Sequence, residues 1–223
     1  MMARQLTFDV SPRPAMGRED FFPSDANSAA LAQIDAWRDW PMGKLILVGP
    51  EGAGKTHLAH VWAAQSGAEI VNATSFQSTA RPLVVEDADR IAGDAAAEEA
   101  LFHLHNNLAN EGYPLLITAR SAPSRWGLTL PDLASRMAQA GLVELRAPDD
   151  TLLMAVMMKR AVDRKLDLTP RMLNYIAARL PRDFATADAV IRRIDALALA
   201  EKRKPNFNDA RDALAEVASP PSS

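Results

Sequence analysis

The segment at residues 49–56, Gly-Pro-Glu-Gly-Ala-Gly-Lys-Thr, constrains the fold of this chain more than any other feature. It has the pattern G-x-x-x-x-G-K-[ST] and directly follows the apolar run at residues 45–48. In this pattern, glycines allow backbone N–H groups to converge on phosphates at the start of a helix. Lys55 is expected to contact the outer phosphates and Thr56 to bind Mg²⁺. A ligand-free glycine-rich turn seldom combines the Lys-Thr pair with a preceding strand. We therefore predict a nucleotide-phosphate loop that includes Gly49, Gly52, Ala53 and Gly54.

Composition excludes several other classes of protein. The 223 residues can form one ordinary domain or two small ones, and the absence of cysteine excludes disulfides, thiolate metal sites and cysteine nucleophiles. A net charge of −3 provides no overall attraction to nucleic acid. No apolar run reaches membrane-spanning length, and residues 1–5 lack the apolar core of a secretion signal. We expect a cytoplasmic protein without membrane contact.

Hydrophobic patterning predicts an α/β body followed by a helical region. Short β-rich runs alternate with helical patterns, which favours a parallel five-stranded sheet flanked by helices and buried on both faces. The predicted strands are residues 44–48, 69–72, 83–86, 115–118 and 142–145. After Pro148 the β signal ends, and four helices are predicted at residues 149–165, 170–180, 183–201 and 208–217. In the third of these, apolar residues recur at spacings of three and four, which indicates one buried face. They are Phe184, Ala187, Ile191, Ile194 and Ala198.

Four regions follow from this pattern. Residues 18–147 are predicted to form the nucleotide-binding body and residues 148–218 a small helical lid. Residues 1–17 and 219–223 are rich in Pro, Ser or polar residues, and we expect a flexible amino-terminal segment and a disordered tail.

Acidic and hydroxyl side chains are predicted at two strand ends near the phosphate loop. Glu86 and Asp87 close the third strand, where one carboxylate can order Mg²⁺ and the next can polarise an attacking water. Thr118 ends the fourth strand, within expected reach of a γ-phosphate or that water. A solvated acidic turn and a simple β-forming threonine are the alternatives, and the position after the phosphate loop favours the catalytic roles.

Four motifs occur in series, at residues 54–60 (Gly-Lys-Thr-His-Leu-Ala-His), 86–93, 115–120 and 130–136. In this order they resemble the DnaA-related AAA+ family, and specifically its Hda members, regulatory inactivators of DnaA. The resemblance extends from about residue 21 to about residue 199. It implies an AAA+ fold, an ADP or ATP site between body and lid, and assembly in which one subunit completes its neighbour's site, including self-association.

Two arginines take their roles from this resemblance. Arg136, in the segment Leu-x-Ser-Arg, matches the arginine finger that stabilises charge on a neighbour's γ-phosphate. Arg182 matches the family's second sensor, a lid cation that reports whether the pocket is filled; a local pair with a nearby carboxylate is the structural alternative. His57 belongs to the nucleotide-binding signature. His57 and His60 share a helix face, but their place in that signature argues against a zinc site.

The segment at residues 5–8 resembles the short peptide with which Hda proteins bind the DNA polymerase III sliding clamp (beta subunit). Leu6 and Phe8 would dock in an apolar pocket while the Gln5 amide forms oriented hydrogen bonds. Asp9 follows where many clamp peptides have another apolar residue. DnaA continues past its lid into a basic helix-turn-helix domain that is missing here, so no sequence-specific DNA binding is expected.

The resemblance predicts a negative regulator that binds ADP or ATP, docks on the clamp and stimulates ATP hydrolysis by DnaA through Arg136. Glu86 stands where most AAA+ proteins have Asp, and its extra methylene predicts slow intrinsic hydrolysis because Mg²⁺ requires near-octahedral geometry. Two alternatives remain: a free-standing P-loop ATPase or phosphotransferase, and a helicase-loader-like AAA+ protein.

Overall fold

The computed structural model describes residues 17–75 and 80–218. A five-stranded α/β body precedes a four-helix lid, as predicted. The strands are β1 (Lys44–Val48), β2 (Glu69–Asn72), β3 (Leu83–Glu86), β4 (Leu115–Ala119) and β5 (Gly141–Glu144). The body helices are α1 (Ser28–Asp35), α2 (Lys55–Ser66), α3 (Ala95–Glu111) and α4 (Pro131–Ala138). The lid helices are α5 (Asp150–Asp163), α6 (Pro170–Ala177), α7 (Phe184–Ala200) and α8 (Phe207–Ala218).

All paired strands in the sheet are parallel, and their order is β2-β3-β4-β1-β5. The predicted five-stranded parallel sheet is therefore confirmed. β4 runs one residue further than predicted, to Ala119, and β5 begins and ends one residue earlier than predicted. Because β4 lies between β1 and β3, the carboxyl ends of all three strands meet beside the phosphate loop.

The central strands explain why the sheet is covered on both faces. Leu45 and Leu47 of β1 pack in the cluster that contains residues of α1 and α2, whereas Ile46 and Val48 join residues of α3 and α4. This alternation follows from the two-residue period of a strand. Because both faces of the sheet are covered, every side chain of the strand is buried. Of the edge strands, β5 alternates between partly buried and exposed residues, whereas β2 has two partly buried residues between exposed ends.

The lid has its own apolar core. Leu153, Met157, Ile176 and Ile191 are buried there with residues of α8. Its helices begin at side-chain caps: Asp149 accepts from the Leu152 N–H at 2.7 Å, and Asp183 accepts from the Thr186 N–H at 2.6 Å. These caps place the helix starts one residue later than predicted at residues 149 and 183.

A buried carboxylate fixes the segment that leads into α4. Glu98 of α3 is fully buried and accepts hydrogen bonds from the backbone N–H groups of Gly93, Thr129 and Leu130, each at 2.8 Å. The Thr129 hydroxyl donates a further bond to Glu98 at 3.1 Å. Burial alone would raise the pKa of Glu98, but these hydrogen bonds hold it below its usual value. These bonds tie the segment before α4 to α3, because Glu98 and Thr129 are 31 residues apart in the chain.

Within the described ranges, no helix combines the length and the apolar character needed to cross a membrane.

Candidate functional site

The phosphate loop connects β1 to α2 with two glycines in left-handed conformations. Gly52 has φ +73° and Gly54, at the N-terminus of α2, has φ +98°. Such angles disfavour residues with a Cβ. The loop also touches the lid, because the Phe184 N–H donates to the Gly52 carbonyl at 3.0 Å. A Cβ on Gly52 would lie only 2.4 Å from the Cβ of Asp183. The glycine is therefore required by both backbone conformation and lid contact.

Lys55 is the first residue of α2 and is largely buried in the loop. Its Nζ donates to the carbonyl oxygens of Gly49 at 2.8 Å and Pro50 at 2.9 Å. Burial lowers the pKa of Lys55, whereas the carboxylates of Asp87, Asp89 and Glu51 oppose that shift. A phosphate group would supply a stronger, charge-assisted acceptor for the same ammonium.

A cavity of about 620 Å³ is lined by the phosphate loop, the strand ends and the lid. The loop contributes Gly52, Gly54, Lys55 and Thr56, and the strand-end side contributes Asp87 and Arg120. The volume falls in the range of small-molecule and cofactor sites. The structure thus brings most predicted nucleotide-binding residues to one cavity at the body–lid junction.

The lid side of the cavity is strongly cationic and centred on one carboxylate. Asp188 of α7 lies 3.9 Å from Arg160, 3.7 Å from Arg164 and 3.3 Å from Arg192, measured between charged atoms. All four residues line the cavity. Sequence analysis missed this group. The available signal was local. Arg160 of α5 and Arg164, which caps the C-terminus of α5, are four residues apart, as are Asp188 and Arg192 on α7, so each pair lies on one side of its helix.

Residues near the amino-terminal end of the described chain close another side of the cavity. Phe21, Phe22 and Asn27 line it, and the Phe21 ring meets the His57 ring edge-on with centroids 5.4 Å apart. The His57 Nε2 lies 3.1 Å from the Gly17 carbonyl. Burial lowers the pKa of His57, and a neutral ring can donate its Nε2–H to that carbonyl. His57 thus lines the cavity beside the phosphate loop.

This amino-terminal segment also reaches the lid. Asp20 forms an ion pair with Lys159 of α5 at 2.7 Å, and both residues line the cavity. The hydrogen bond from Lys159 is the main reason that the pKa of Asp20 lies below its usual value. Residues 17–22 therefore contact body and lid together.

The strand-end residues fit a hard cation. Thr56 is exposed in the cavity, Asp87 lines it, and Oε1 of Glu86 is buried without a hydrogen-bond partner among the described residues. Carboxylate and hydroxyl oxygens are the ligands that Mg²⁺ prefers, although Glu86 itself does not line the cavity. Thr118 is buried and its Oγ1 accepts the Asp87 N–H at 3.1 Å, so it does not line the cavity. Within the described ranges, no group of three or more His, Asp or Glu is arranged to hold a metal ion.

Arg182 lies outside the cavity lining. Its guanidinium contacts Asp150, the first residue of α5, with Nε at 3.1 Å from Oδ1 and Nη2 at 3.2 Å from Oδ2. Sequence analysis kept a local pair as the alternative to the sensor role, and the carboxylate that the structure pairs with Arg182 lies 32 residues away in the chain. Both side chains are mostly exposed, so the pair contributes little to stability.

Arg136 lies at the opposite end of the sheet from the phosphate loop. It is exposed on α4 and lines a second cavity together with Lys44, the first residue of β1. The phosphate loop follows Val48, the last residue of β1, and four strand steps of ~3.3 Å separate the two ends by about 13 Å. Among the described residues, Arg136 has no ion-pair partner and no side-chain hydrogen bond. Gln5, Leu6 and Phe8, which the resemblance predicts to bind the clamp, lie outside the described residues.

Comparison with known proteins confirms the predicted resemblance over the lid. Residues 149–205 match the family model described as "Hda, lid domain". This range contains α5, α6 and α7 and the lid arginines that line the cavity, Arg160, Arg164 and Arg192.

Solved structures share the fold of nearly the whole chain. Domain III of the replication initiation protein DnaA from Thermotoga maritima has a TM-score of 0.82 at 18% identity, covering 93% of this chain and 99% of that one. AMPPCP-bound DnaA from Aquifex aeolicus has a TM-score of 0.72 at 16% identity, covering 92% and 70%. The RuvB Holliday junction branch migration motor of Thermotoga maritima has a TM-score of 0.70 at 18% identity, covering 90% and 72%. The chain therefore has the AAA+ fold of the DnaA-like proteins, with a lid that matches Hda.

Proposed function

We propose that this protein is an Hda-like regulator that supplies Arg136 to ATP-bound DnaA and stimulates ATP hydrolysis there. The observation that carries the proposal is the position of Arg136: it is exposed, free of an acidic partner among the described residues, and at the end of the sheet remote from its own phosphate loop. A guanidinium in this position can reach a neighbour's nucleotide but not its own. The match of the lid to Hda supports the same reading.

In this proposal, the protein's own nucleotide holds body and lid together. Gly49, Gly52, Ala53 and Gly54 form the loop, and Lys55 contacts the phosphates of ADP or ATP. The AMPPCP in the similar Aquifex DnaA supports an adenine nucleotide. When Mg²⁺ is bound, it would neutralise phosphate charge, with Thr56 and Glu86 as its protein ligands. Asp87 would position the attacking water, and buried Thr118 would hold the Asp87 backbone in place by accepting its N–H.

Arg182 can take the sensor role only by leaving Asp150, because the pair with Asp150 occupies its guanidinium. Arg160, Arg164 and Arg192 already line the cavity and share one carboxylate. We assign the first contact between the lid and a bound phosphate to these three residues.

Hydrolysis of ATP bound to DnaA tests the role of Arg136. DnaA loaded with labelled ATP is mixed with this protein, clamp and DNA, and ADP formation is followed. Arg136→Ala should lower the stimulated rate by roughly a thousandfold while nucleotide binding is unchanged, because the finger stabilises transition-state charge. Arg125→Ala is the matched control, since Arg125 is also exposed and lines neither cavity. Undiminished stimulation by Arg136→Ala would refute the proposal.

We further propose that Gln5, Leu6 and Phe8 tether the protein to the sliding clamp, which would raise its local concentration on replicating DNA. A pull-down with purified clamp should retain the wild type and the exposed-residue control Gln33→Ala, and lose Gln5→Ala. Full retention of Gln5→Ala on the clamp would mean that the Gln5 amide does not contribute to binding.

A second candidate function is turnover of the chain's own ATP. It is favoured by Arg160, Arg164 and Arg192, which provide cations in cis at the cavity. ATP hydrolysis by the purified protein alone would support this enzyme, whereas hydrolysis that requires DnaA and loaded clamp supports the regulator.

A further inference from the structure

A second cavity, of about 510 Å³, lies at the amino end of the sheet between β1, the end of α3 and α4. Its polar side chains include both cations and neutral hydrogen-bonding groups, and none of the described residues that line it is acidic. The polar lining consists of Lys44, His105, Asn106, Asn110, Tyr113 and Arg136.

Lys44 is an unusual residue to find at this depth. It is 2% exposed, and its Nζ lies 2.5 Å from Nε2 of His105, which is equally buried. The Nδ1 of the same ring lies 3.3 Å from Oδ1 of Asn106. This network assigns the proton to Nδ1, so that a neutral ring donates to Asn106 and accepts from Lys44. The imidazole thus provides a lone pair but no negative charge, whereas buried ammonium groups normally pair with a carboxylate.

The charges around the cavity reinforce this reading. Burial and nearby Arg136 lower the pKa of Lys44 to about 8, and burial together with Lys44 lowers the pKa of His105 to about 4. At neutral pH, Lys44 is therefore mostly charged and His105 neutral. Two cations border one cavity, and its described lining holds no group to neutralise them.

We propose that this cavity binds an oxyanion, the phosphate or carboxylate group of a small molecule, held by the Lys44 ammonium and the Arg136 guanidinium. An oxyanion accepts charge-assisted hydrogen bonds from both donors. Neutral donors on Asn106, Asn110 and Tyr113 line the same space. The inference rests on the proposed function in one respect: an anion that pairs with Arg136 competes with its contact to DnaA-bound nucleotide and so lowers stimulation.

Inorganic phosphate is the probe for a direct test with the full-length protein. Excess ADP first fills the phosphate-loop cavity, so that phosphate cannot bind there. Phosphate is then titrated at constant ionic strength while the imidazole resonances are followed by NMR. A saturable shift of His105 is expected, with exposed His60 and His103 unmoved as internal references. Bound phosphate should also raise the pKa of Lys44.

Matched variants locate the site. Lys44→Met keeps the length of the side chain but removes its charge, and should weaken phosphate binding at least about tenfold. Arg136→Ala should weaken it several-fold, and Arg125→Ala should leave it unchanged. A parallel titration with acetate separates the two ligand classes: saturation by phosphate alone assigns a phosphate site, and saturation by acetate as well assigns a general oxyanion site.

An unsaturable or absent His105 shift, or equal binding by Lys44→Met, would overturn the inference. Should Lys44→Met fail to fold, the pKa of Lys44 in the wild type with and without phosphate decides the question. DnaA is absent from this titration, so its failure is distinguishable from failure of the proposed function, which is measured by ATP hydrolysis on DnaA.

Discussion

The two ends of the central sheet differ in whether their cationic side chains have carboxylate partners. At the carboxyl end, the lid arginines share Asp188, and Lys159 pairs with Asp20. At the amino end, Lys44 has only a neutral imidazole, and Arg136 has no ion-pair partner among the described residues. Cations that face an internal ligand can be held by carboxylates until phosphate displaces them. Cations without such partners retain their full attraction for an anion from elsewhere.

The two ends of the sheet also differ in how their cation-bearing elements are held in place. The amino end depends on α4 being fixed, and Glu98 fixes the segment before it. The carboxyl end depends on the lid, which contacts the phosphate loop through the Phe184–Gly52 hydrogen bond. Four substitutions test this contrast, beginning with the largest expected effect.

Glu98→Ala should break the amino end most severely. Three backbone N–H groups would lose their acceptor in a buried site, each costing roughly 1–3 kcal/mol, so the free energy of unfolding should fall by more than about 3 kcal/mol. Urea unfolding measures this, with exposed Glu99→Ala as the control. Because the folded pKa of Glu98 lies below its unfolded value, the wild type's contribution exists above the unfolded pKa and is lost as pH falls through the folded pKa. If Glu98→Ala and Glu99→Ala lower the free energy of unfolding by similar amounts, Glu98 does not fix the segment before α4.

Lys55→Ala should disable the carboxyl end selectively. Removing a largely buried ammonium from the phosphates should cost about 2–5 kcal/mol of ADP binding free energy. Calorimetric titration of ADP measures the loss, and exposed Lys204→Ala serves as control. The His105 shift with inorganic phosphate should persist in Lys55→Ala, and its disappearance would show that the two ends do not bind anions independently.

Lys44→Met should have a smaller effect, and it should raise the free energy of unfolding instead of lowering it. A buried cation without a carboxylate destabilises the fold, so the variant should be more stable by about 1 kcal/mol at pH 7. The folded pKa of about 8 lies below the usual 10.5. Below pH 8 both states are protonated and the penalty is complete; between about pH 8 and 10.5 the unfolded state binds more protons, so wild-type stability should rise with pH. The variant should lack that rise in urea unfolding measured from pH 7.5 to 10.5, and an unchanged slope would exclude Lys44 as its source.

Asp188→Asn should give the smallest change. The ion pairs are partly exposed, so losing the carboxylate should lower the free energy of unfolding by less than about 1 kcal/mol without nucleotide. ADP should bind more tightly, because Asp188 no longer competes with phosphate for the three arginines. Asp195→Asn on the same helix is the control, since its contact with Arg164 is 4.0 Å. Weaker ADP binding by Asp188→Asn would mean that the carboxylate orients the arginines instead of competing with phosphate.

Sequence analysis located the local features accurately because they are encoded locally. The buried runs of β1 and β3 have the predicted limits, and Lys55 begins α2 directly after the glycines. What it missed depends on how distant elements dock. Arg160 and Asp188 are 28 residues apart and meet only when α5 packs on α7, and Lys44 and His105 are 61 residues apart. Neither pairing has a spacing that a single sequence reveals.

The hydrogen bond between Phe184 and Gly52 has a kinetic consequence. It joins main-chain atoms, so replacing neighbouring side chains leaves its donor and acceptor intact. Swinging α7 away from the loop would strip both groups of their partner simultaneously. We therefore expect a bound nucleotide to dissociate only after this hydrogen bond breaks and the lid opens. Its dissociation rate would then depend more on how often the lid opens than on the attraction of any one arginine for the phosphates.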